Sequence, residues 1–277
     1  MFKGISTPRS FSLIKKGEVC LLLRDEYRDL LLRQGIEDIE GFLRKYEPLS
    51  RQFKGRTLHP CVPIKEGEWM VVRRYSHGGL FRTLTQDLYL FGSRSFREVA
   101  LTEEIRSCGI PTIQPIGAIH RSVFPFFYRA HLLSLEVPSA KDLIHYLLEM
   151  GPHPLGETLS LKRKVTRSAG LLLRQFHGAG FFHRDLQLKN LLLAGDQLFL
   201  IDFDRSYRKT SLSLRERLKN LLRLDRSVEK WKRKGLSITK TDRWRFFLAY
   251  AGDDSKLRSA MRRAVTSSLI RSLLYSP

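Results

Sequence analysis

Three oxygen-bearing side chains at fixed spacing constrain this chain more than any other feature. Asp185 and Asn190 stand five residues apart in FFHRDLQLKN (181–190), and Asp202 ends the apolar stretch LFLID (198–202). Before them, SLKRKVTRSAGLLLRQFHGAG (160–180) carries Leu161, Val165, Ala169, Leu172 and Phe176 at helical spacing, with Ser160 as a candidate cap and Gly178 as its end. Between them, Leu191–Leu193 and Leu198–Ile201 flank Gly195 and Asp196 as a hairpin. A capped helix, a polar loop, a hairpin and a closing Asp form an order that chance seldom assembles.

Phosphoryl transfer needs charge neutralisation on a triphosphate, a metal held by oxygen ligands, and a base aimed at the acceptor hydroxyl. A kinase-type loop separates the base Asp from a metal-binding Asn by five residues and sets a second metal-binding Asp after the next hairpin. Asp185, Asn190 and Asp202 match that arrangement. The bland alternative is a helix-to-strand turn whose polar side chains only bond backbone. His183 is expected to pack within the loop rather than titrate, and Arg184 to meet an anion or solvent.

Two upstream partners are also needed: a cation on the phosphates and an acid that orients it. EWMVVRRY (68–75) reads as a strand with Arg73 at the position of the usual lysine and Arg74 on the opposite face. SFREVALTEEIRSCG (95–109) reads as a helix capped by Ser95 and stopped by Gly109, with Glu98 as counter-ion to Arg73. Arginine keeps its charge and can grip phosphate with two donors. An ordinary structural ion pair is the competing explanation. No G-x-G-x-x-G precedes the strand; Gly55 in FKGRT is the single hint of a phosphate loop, and the Gly78-Gly79 loop follows the strand. Glu136 ends the apolar strand FFYRAHLLSLEV and Asp142 opens the helix SAKDLIHYLL, positions that suit a nucleotide hinge and a ribose- or substrate-facing acid.

Around this centre the chain reads as α+β with two lobes. Residues 1–53 are expected to be a helical extension, with short helices over Arg24–Arg33 and Glu37–Tyr46. Residues 54–137 form a lobe of strands plus one helix, and 138–277 a second lobe containing loop 181–190 and a basic helical tail, 208–277. Three scattered cysteines without a CxxC pair argue against a disulfide framework or a structural zinc site. No apolar run approaches a membrane span. The formal net charge of +21 implies a polyanionic partner. Residues 208–277 hold 19 Lys and Arg against 6 Asp and Glu, so most of that excess lies in the tail. There, Leu214, Leu218, Leu221, Val228 and Trp231 make one stripe of a basic amphipathic helix, followed by TDRWRFFLAYAG and KLRSAMRRAVTSSLIRSLL as two more helices.

The segments VRRYSHGGLFR, REVALTEEIRSCGIPTIQPIGA, FYRAHLLSLEVPSAKDL, HGAGFFHRDLQLKN and LFLIDFDRS resemble the lipopolysaccharide kinase family, in particular its 3-deoxy-D-manno-octulosonic acid (Kdo) kinases. The resemblance covers about Lys54 to Tyr207, and LKNLLRLDRSVEKW after it also looks familial. It implies a protein-kinase-like fold with a reduced, basic helical C-terminal part. It further implies transfer of phosphate from ATP, with Mg2+, to a sugar hydroxyl of Kdo or heptose on the lipid A inner core. Under it Asp185 is the base, Asn190 and Asp202 hold magnesium, Arg73 meets phosphate beside Glu98, and Glu136 sits at the nucleotide hinge. The implied setting is peripheral, at the cytoplasmic face of the bacterial inner membrane, on an anionic glycolipid.

The residues support a non-protein acceptor independently. The 75 residues after Asp202 contain one proline, Pro277, so no A-P-E element of a peptide-docking lobe follows. The alternatives are a soluble small-molecule kinase of the aminoglycoside type, an atypical protein kinase, a catalytically dead relative, and a nucleic-acid-binding module. The last is not expected, because the basic residues lack aromatic interleaving and Asp185, Asn190 and Asp202 would have no role.

Overall fold

The computed structural model describes residues 7–54, 58–76, 88–90, 92–124, 126–260 and 263. Gly55, Gly78, Gly79 and most of the last expected helix lie outside them. The chain divides into two units, one of 1–107 with 113–138 and one of 108–112 with 139–277.

The first unit is built on an antiparallel sheet. Its strands are β1 (Phe11–Lys16), β2 (Val19–Arg24), β3 (Arg51–Lys54), β4 (Leu58–Lys65), β5 (Glu68–Arg74), β6 (Tyr89–Leu90), β7 (Pro115–Phe124) and β8 (Phe127–Leu135). Their order is β1-β2-β7-β8-β5-β4-β3, with β6 paired to β8. Strand side chains alternate between faces, and here each face has its own core. On one face, Leu21, Leu23, Met70, Val72, Ile119 and Leu133 pack under α1 (Asp25–Arg33) and α2 (Ile39–Tyr46) through Tyr27, Leu31, Ile39 and Phe42. On the other, Cys20, Leu22, Ala118, Ala130 and Leu132 pack against Phe96 and Val99 of α3 (Arg94–Ser107).

The N-terminal segment is therefore not helical alone. β1 and β2 form a hairpin about Gly17 and Glu18, with Gly17 at a positive φ of 57°, and β2 pairs with β7. Six alternating residues, a glycine turn and the apolar run VCLLL amount to a hairpin signal. Its missing half was the sheet edge that makes burial of VCLLL worthwhile. The cap of α3 also differs: the Ser93 hydroxyl, not Ser95, accepts the Phe96 amide at 3.4 Å.

The second unit is mainly helical: α4 (Leu143–Glu149), α5 (Gly156–Gly178), α6 (Leu214–Lys232) and α7 (Lys240–Ala251). α5 begins four residues before Ser160, and Leu155 at its N-cap makes no side-chain bond. Val165, Ala169, Leu172 and Phe176 are buried as the periodicity predicts, while Leu161 is exposed. α5 packs against α7 with a buried ion pair between them, Lys162 to Asp242 at 2.8 Å. Short strands β9 (Lys141–Asp142), β10 (Phe181–Phe182), β11 (Leu191–Ala194), β12 (Gln197–Leu200) and β13 (Tyr207–Arg208) frame the loop between α5 and α6. β11 and β12 are the expected hairpin, and β13 pairs with β10.

Candidate active site

The loop 183–190 is fixed by buried polar groups. Gly180, at φ 85°, closes α5 where any side chain would strike the Lys209 carbonyl, and β10 then delivers the chain to His183. His183 is fully buried: its Nδ1 accepts the Asp185 amide at 3.1 Å and its Nε2 donates to the Ile201 carbonyl at 3.0 Å. Burial holds this ring below the ordinary histidine range and outweighs the Ile201 bond and the nearby carboxylates. His183 is a neutral structural ring, as expected from the sequence. Arg184 is exposed, and its amide donates to the Ser206 hydroxyl at 3.0 Å.

One face of α6 backs the whole loop. Asn220 accepts the His183 amide through Oδ1 at 3.0 Å and donates from Nδ2 to the His183 carbonyl at 2.9 Å. Seven residues on, the Ser227 hydroxyl accepts the Leu188 amide at 3.3 Å. Between them Arg223 reaches Asp185, with Nε 2.9 Å from Oδ1 and Nη2 on the same oxygen. Positions 220, 223 and 227 share one side of a helix, so a single surface sets residues 183, 185 and 188. Asn220 also meets His177 Nε2 at 3.1 Å, and His177 Nδ1 lies 2.6 Å from the Tyr250 hydroxyl. Burial keeps His177 neutral by pushing it down to about 4. A continuous network thus runs from α7 through α5 and α6 to the loop.

Asp185 is half-buried and receives the Arg223 bonds and one from Gln187 Nε2, all on Oδ1. Oδ2 has no partner among the described residues, which leaves it open to accept a hydroxyl proton. Burial alone would raise this carboxyl, but the bonds from Arg223 and Gln187 and the charges of Arg223 and Lys189 hold it below the usual carboxylate range.

Asn190 and Asp202 are joined by the hairpin. The Ile201 amide donates to the Asn190 carbonyl at 3.0 Å, which extends the β11–β12 ladder by one step and sets Asp202 next in line. Asn190 Nδ2 donates to the Asp185 carbonyl at 2.8 Å, so the amide is turned with Oδ1 as its unengaged atom. Asp202 is held at a positive φ of 68°, a conformation that non-glycine residues seldom adopt and that concentrates at functional sites. Two hard oxygen donors at one hairpin end suit magnesium, which prefers oxygen ligands and keeps several waters.

In the first unit, Arg73 Nη2 lies 2.5 Å from Glu98 on α3, and the Tyr75 hydroxyl donates to the same carboxylate. The Arg73 guanidinium also stacks over the Tyr75 ring at 4.9 Å. Glu98 is buried, whereas Arg73 keeps part of its surface in solvent. Arg74 is exposed on the other face, as strand alternation requires. The Glu136 amide donates to the Trp69 carbonyl at 2.8 Å, and its carboxylate lies 3.7 Å from Arg51. Asp142 caps α4, accepting the Ile144 amide at 2.9 Å and the His145 amide at 3.2 Å. Arg223, Asn220, Ser227 and Gln187 went unnoticed in the sequence. The available signal was polar Asn220 and Ser227 set among buried Leu221, Leu224 and Val228.

The model of the lipopolysaccharide kinase (Kdo/WaaP) family matches residues 47–250. Similar relatives include the 3-deoxy-D-manno-octulosonic acid kinase of Vibrio cholerae serotype O1, 35% identical over 164 residues, which are 57% of this chain and 65% of that protein. The enzyme of the same name from Haemophilus influenzae is 30% identical over 200 residues, 68% of this chain and 78% of that protein. The alignment thus spans just under two thirds of the Vibrio relative's length. A solved structure titled "WaaP in complex with acyl carrier protein" superposes with a TM-score of 0.55 at 18% identity, covering 89% of this chain and 98% of that one. That likeness concerns the fold, which is the two-lobed, kinase-like α+β fold with a helical C-terminal region. The chain belongs to the lipopolysaccharide kinase (Kdo/WaaP) family.

Proposed function

We propose that the chain is a kinase that transfers phosphate from ATP to a hydroxyl of Kdo, or of heptose, in the lipopolysaccharide inner core. The observation that carries this is Asp185, whose Oδ1 is saturated by Arg223 and Gln187 while Oδ2 stays open. In this role Asp185 orients the acceptor hydroxyl and takes its proton as the new phosphate ester bond forms and the bond from the γ-phosphorus to the departing ADP breaks. Its lowered carboxyl keeps it ionised and ready at neutral pH. Asn190 Oδ1 and the Asp202 carboxylate would hold Mg2+, which when bound neutralises charge on the phosphates. Arg73, oriented by Glu98 and Tyr75, would meet phosphate oxygens through its guanidinium. Glu136 stands at the strand end from which a nucleotide hinge would run.

The setting proposed is the cytoplasmic face of the inner membrane, with a Kdo-bearing lipid A as substrate. No helix among the described residues is long and apolar enough to cross a membrane. α6 contributes through its basic residues, because its apolar stripe is buried at Leu221, Leu224 and Val228, with Leu214 at its start exposed. Arg226, Lys230, Arg233 and Lys234, with Glu229 among them, line a shallow hollow. Each basic residue near an anionic surface contributes about 1 kcal/mol. The test is incubation with ATP, magnesium and a Kdo-bearing lipid A precursor, read by mass spectrometry. Gain of one phosphoryl group supports the proposal, and phosphorylation of soluble aminosugars in preference to the lipid refutes it.

A further inference from the structure

A second basic and apolar feature lies at the far end of the first unit's sheet. The core under α1 and α2 extends outward along β7 and β8 as far as Ile119 and Leu133. Beyond it on that face come His131, Arg129 and Phe127 of β8, Arg121 of β7 opposite Arg129, and Arg74 of β5 opposite His131. Like charges directly opposite one another on a sheet destabilise it. Among the described residues, Arg121 comes within ion-pair range of Asp38 only, at 3.8 Å. Arg129 has no carboxylate partner among the described residues, and its Nε is buried without a hydrogen bond. All three arginines act on His131, which burial first and their charges second push down to about 4.

The hairpin tip next to these cations is apolar. Leu90 of β6 pairs with Phe127, and Leu90, Phe126 and Phe127 are 59%, 58% and 37% exposed. Leaving three large apolar side chains in water beside Arg121 and Arg129, like charges set opposite each other, costs stability in the isolated chain. Both costs are relieved by one kind of surface, which takes apolar groups below a plane of negative charge. We propose that this end of the sheet docks on an anionic lipid bilayer, with Leu90, Phe126 and Phe127 entering the headgroup boundary and Arg121 and Arg129 meeting lipid phosphates. It deepens the membrane setting proposed above and is separate from the charges of α6.

The test is co-sedimentation with phosphatidylcholine vesicles, with and without phosphatidylglycerol. Wild type is expected to bind the anionic vesicles. Phe126→Ser with Phe127→Ser should weaken that binding by about tenfold or more, and Arg121→Gln with Arg129→Gln by about fivefold for each arginine. Should the phenylalanine variant melt early, Leu90→Ser provides the same comparison from another strand. Phosphate transfer to detergent-dispersed acceptor should be unchanged in all of them. The proposal is overturned if these variants bind like wild type, if wild type stays in the supernatant, or if binding ignores phosphatidylglycerol. A protein that binds vesicles through this tip yet phosphorylates no lipid would sink the kinase assignment and leave the docking site standing.

Discussion

Asn220→Ala removes the side chain through which α6 grips the loop, and the structure sets the size of the effect. Asn220 is almost completely buried and bonds the His183 amide, the His183 carbonyl and His177 Nε2 at 2.9–3.1 Å. Truncation orphans all three groups. Each buried polar group left unpaired costs about 1–3 kcal/mol. Allowing for partial rescue by entering water, the sum is about 3–6 kcal/mol, a large share of the ~5–15 kcal/mol that holds a typical domain. Urea unfolding followed by circular dichroism should show the midpoint falling at nearly unchanged slope. Tyr250→Phe removes only the hydroxyl beside His177 Nδ1 and should cost about 1–2 kcal/mol. The double variant should cost less than the two combined, because both act on one chain of bonds. A loss below about 1 kcal/mol for Asn220→Ala would refute the claim that this network shapes the loop.

Arg223→Met removes the guanidinium from Oδ1 of Asp185, leaving Gln187 there, and should lower kcat by about 10- to 100-fold with the KM for ATP unchanged, since orientation of the proposed base is what it supplies; steady-state kinetics with varied ATP checks both. Glu98→Ala leaves Arg73 without the carboxylate that aims it, so ATP affinity should fall by about tenfold or more. Arg73→Lys should be milder, keeping the charge but losing the fork, and nucleotide titration separates the two. Acid should destabilise the fold through its buried histidines. His120, His131 and His177 are each pushed down to about 4, chiefly by burial, against about 6.5 in the unfolded chain. Their contribution is complete above about pH 6.5 and is lost as pH falls from there through about 4, with a slope of up to about 1.4 kcal/mol per pH unit for each ring. Urea midpoints across that range should drop steeply, and a flat profile would contradict neutral burial.

The sequence showed the polar residues of the loop better than their support. Asp185, Asn190 and Asp202 stood out because a kinase-type loop calls for those residue types at that spacing, and the structure sets Asn190 against the Asp185 carbonyl and Asp202 at the end of the adjoining hairpin. The Arg73–Glu98 pair was legible because strand and helix periodicity place each on a known face. β1 and β2 were missed because the value of a hairpin depends on a partner strand, here β7, about a hundred residues away. α6 was read as a basic amphipathic helix, and its apolar stripe packs within its own unit, with Leu221, Leu224 and Val228 buried. A polar residue inside an apolar stripe must find a buried partner, and Asn220 was that clue. Which partner it finds, 37 residues back at His183, is tertiary information.

The central claim is that Asp185 serves as base and Asp202 as metal ligand in phosphate transfer to a lipid-borne sugar. The direct measurement is the rate of labelled phosphate transfer from ATP to a Kdo-bearing lipid A precursor. It should be made for wild type, Asp185→Asn and Asp202→Ala, after each variant is shown to fold like wild type. Transfer by wild type with loss of at least about a hundredfold in both variants is the predicted result. Undiminished transfer by either folded variant, or none by wild type, would contradict it.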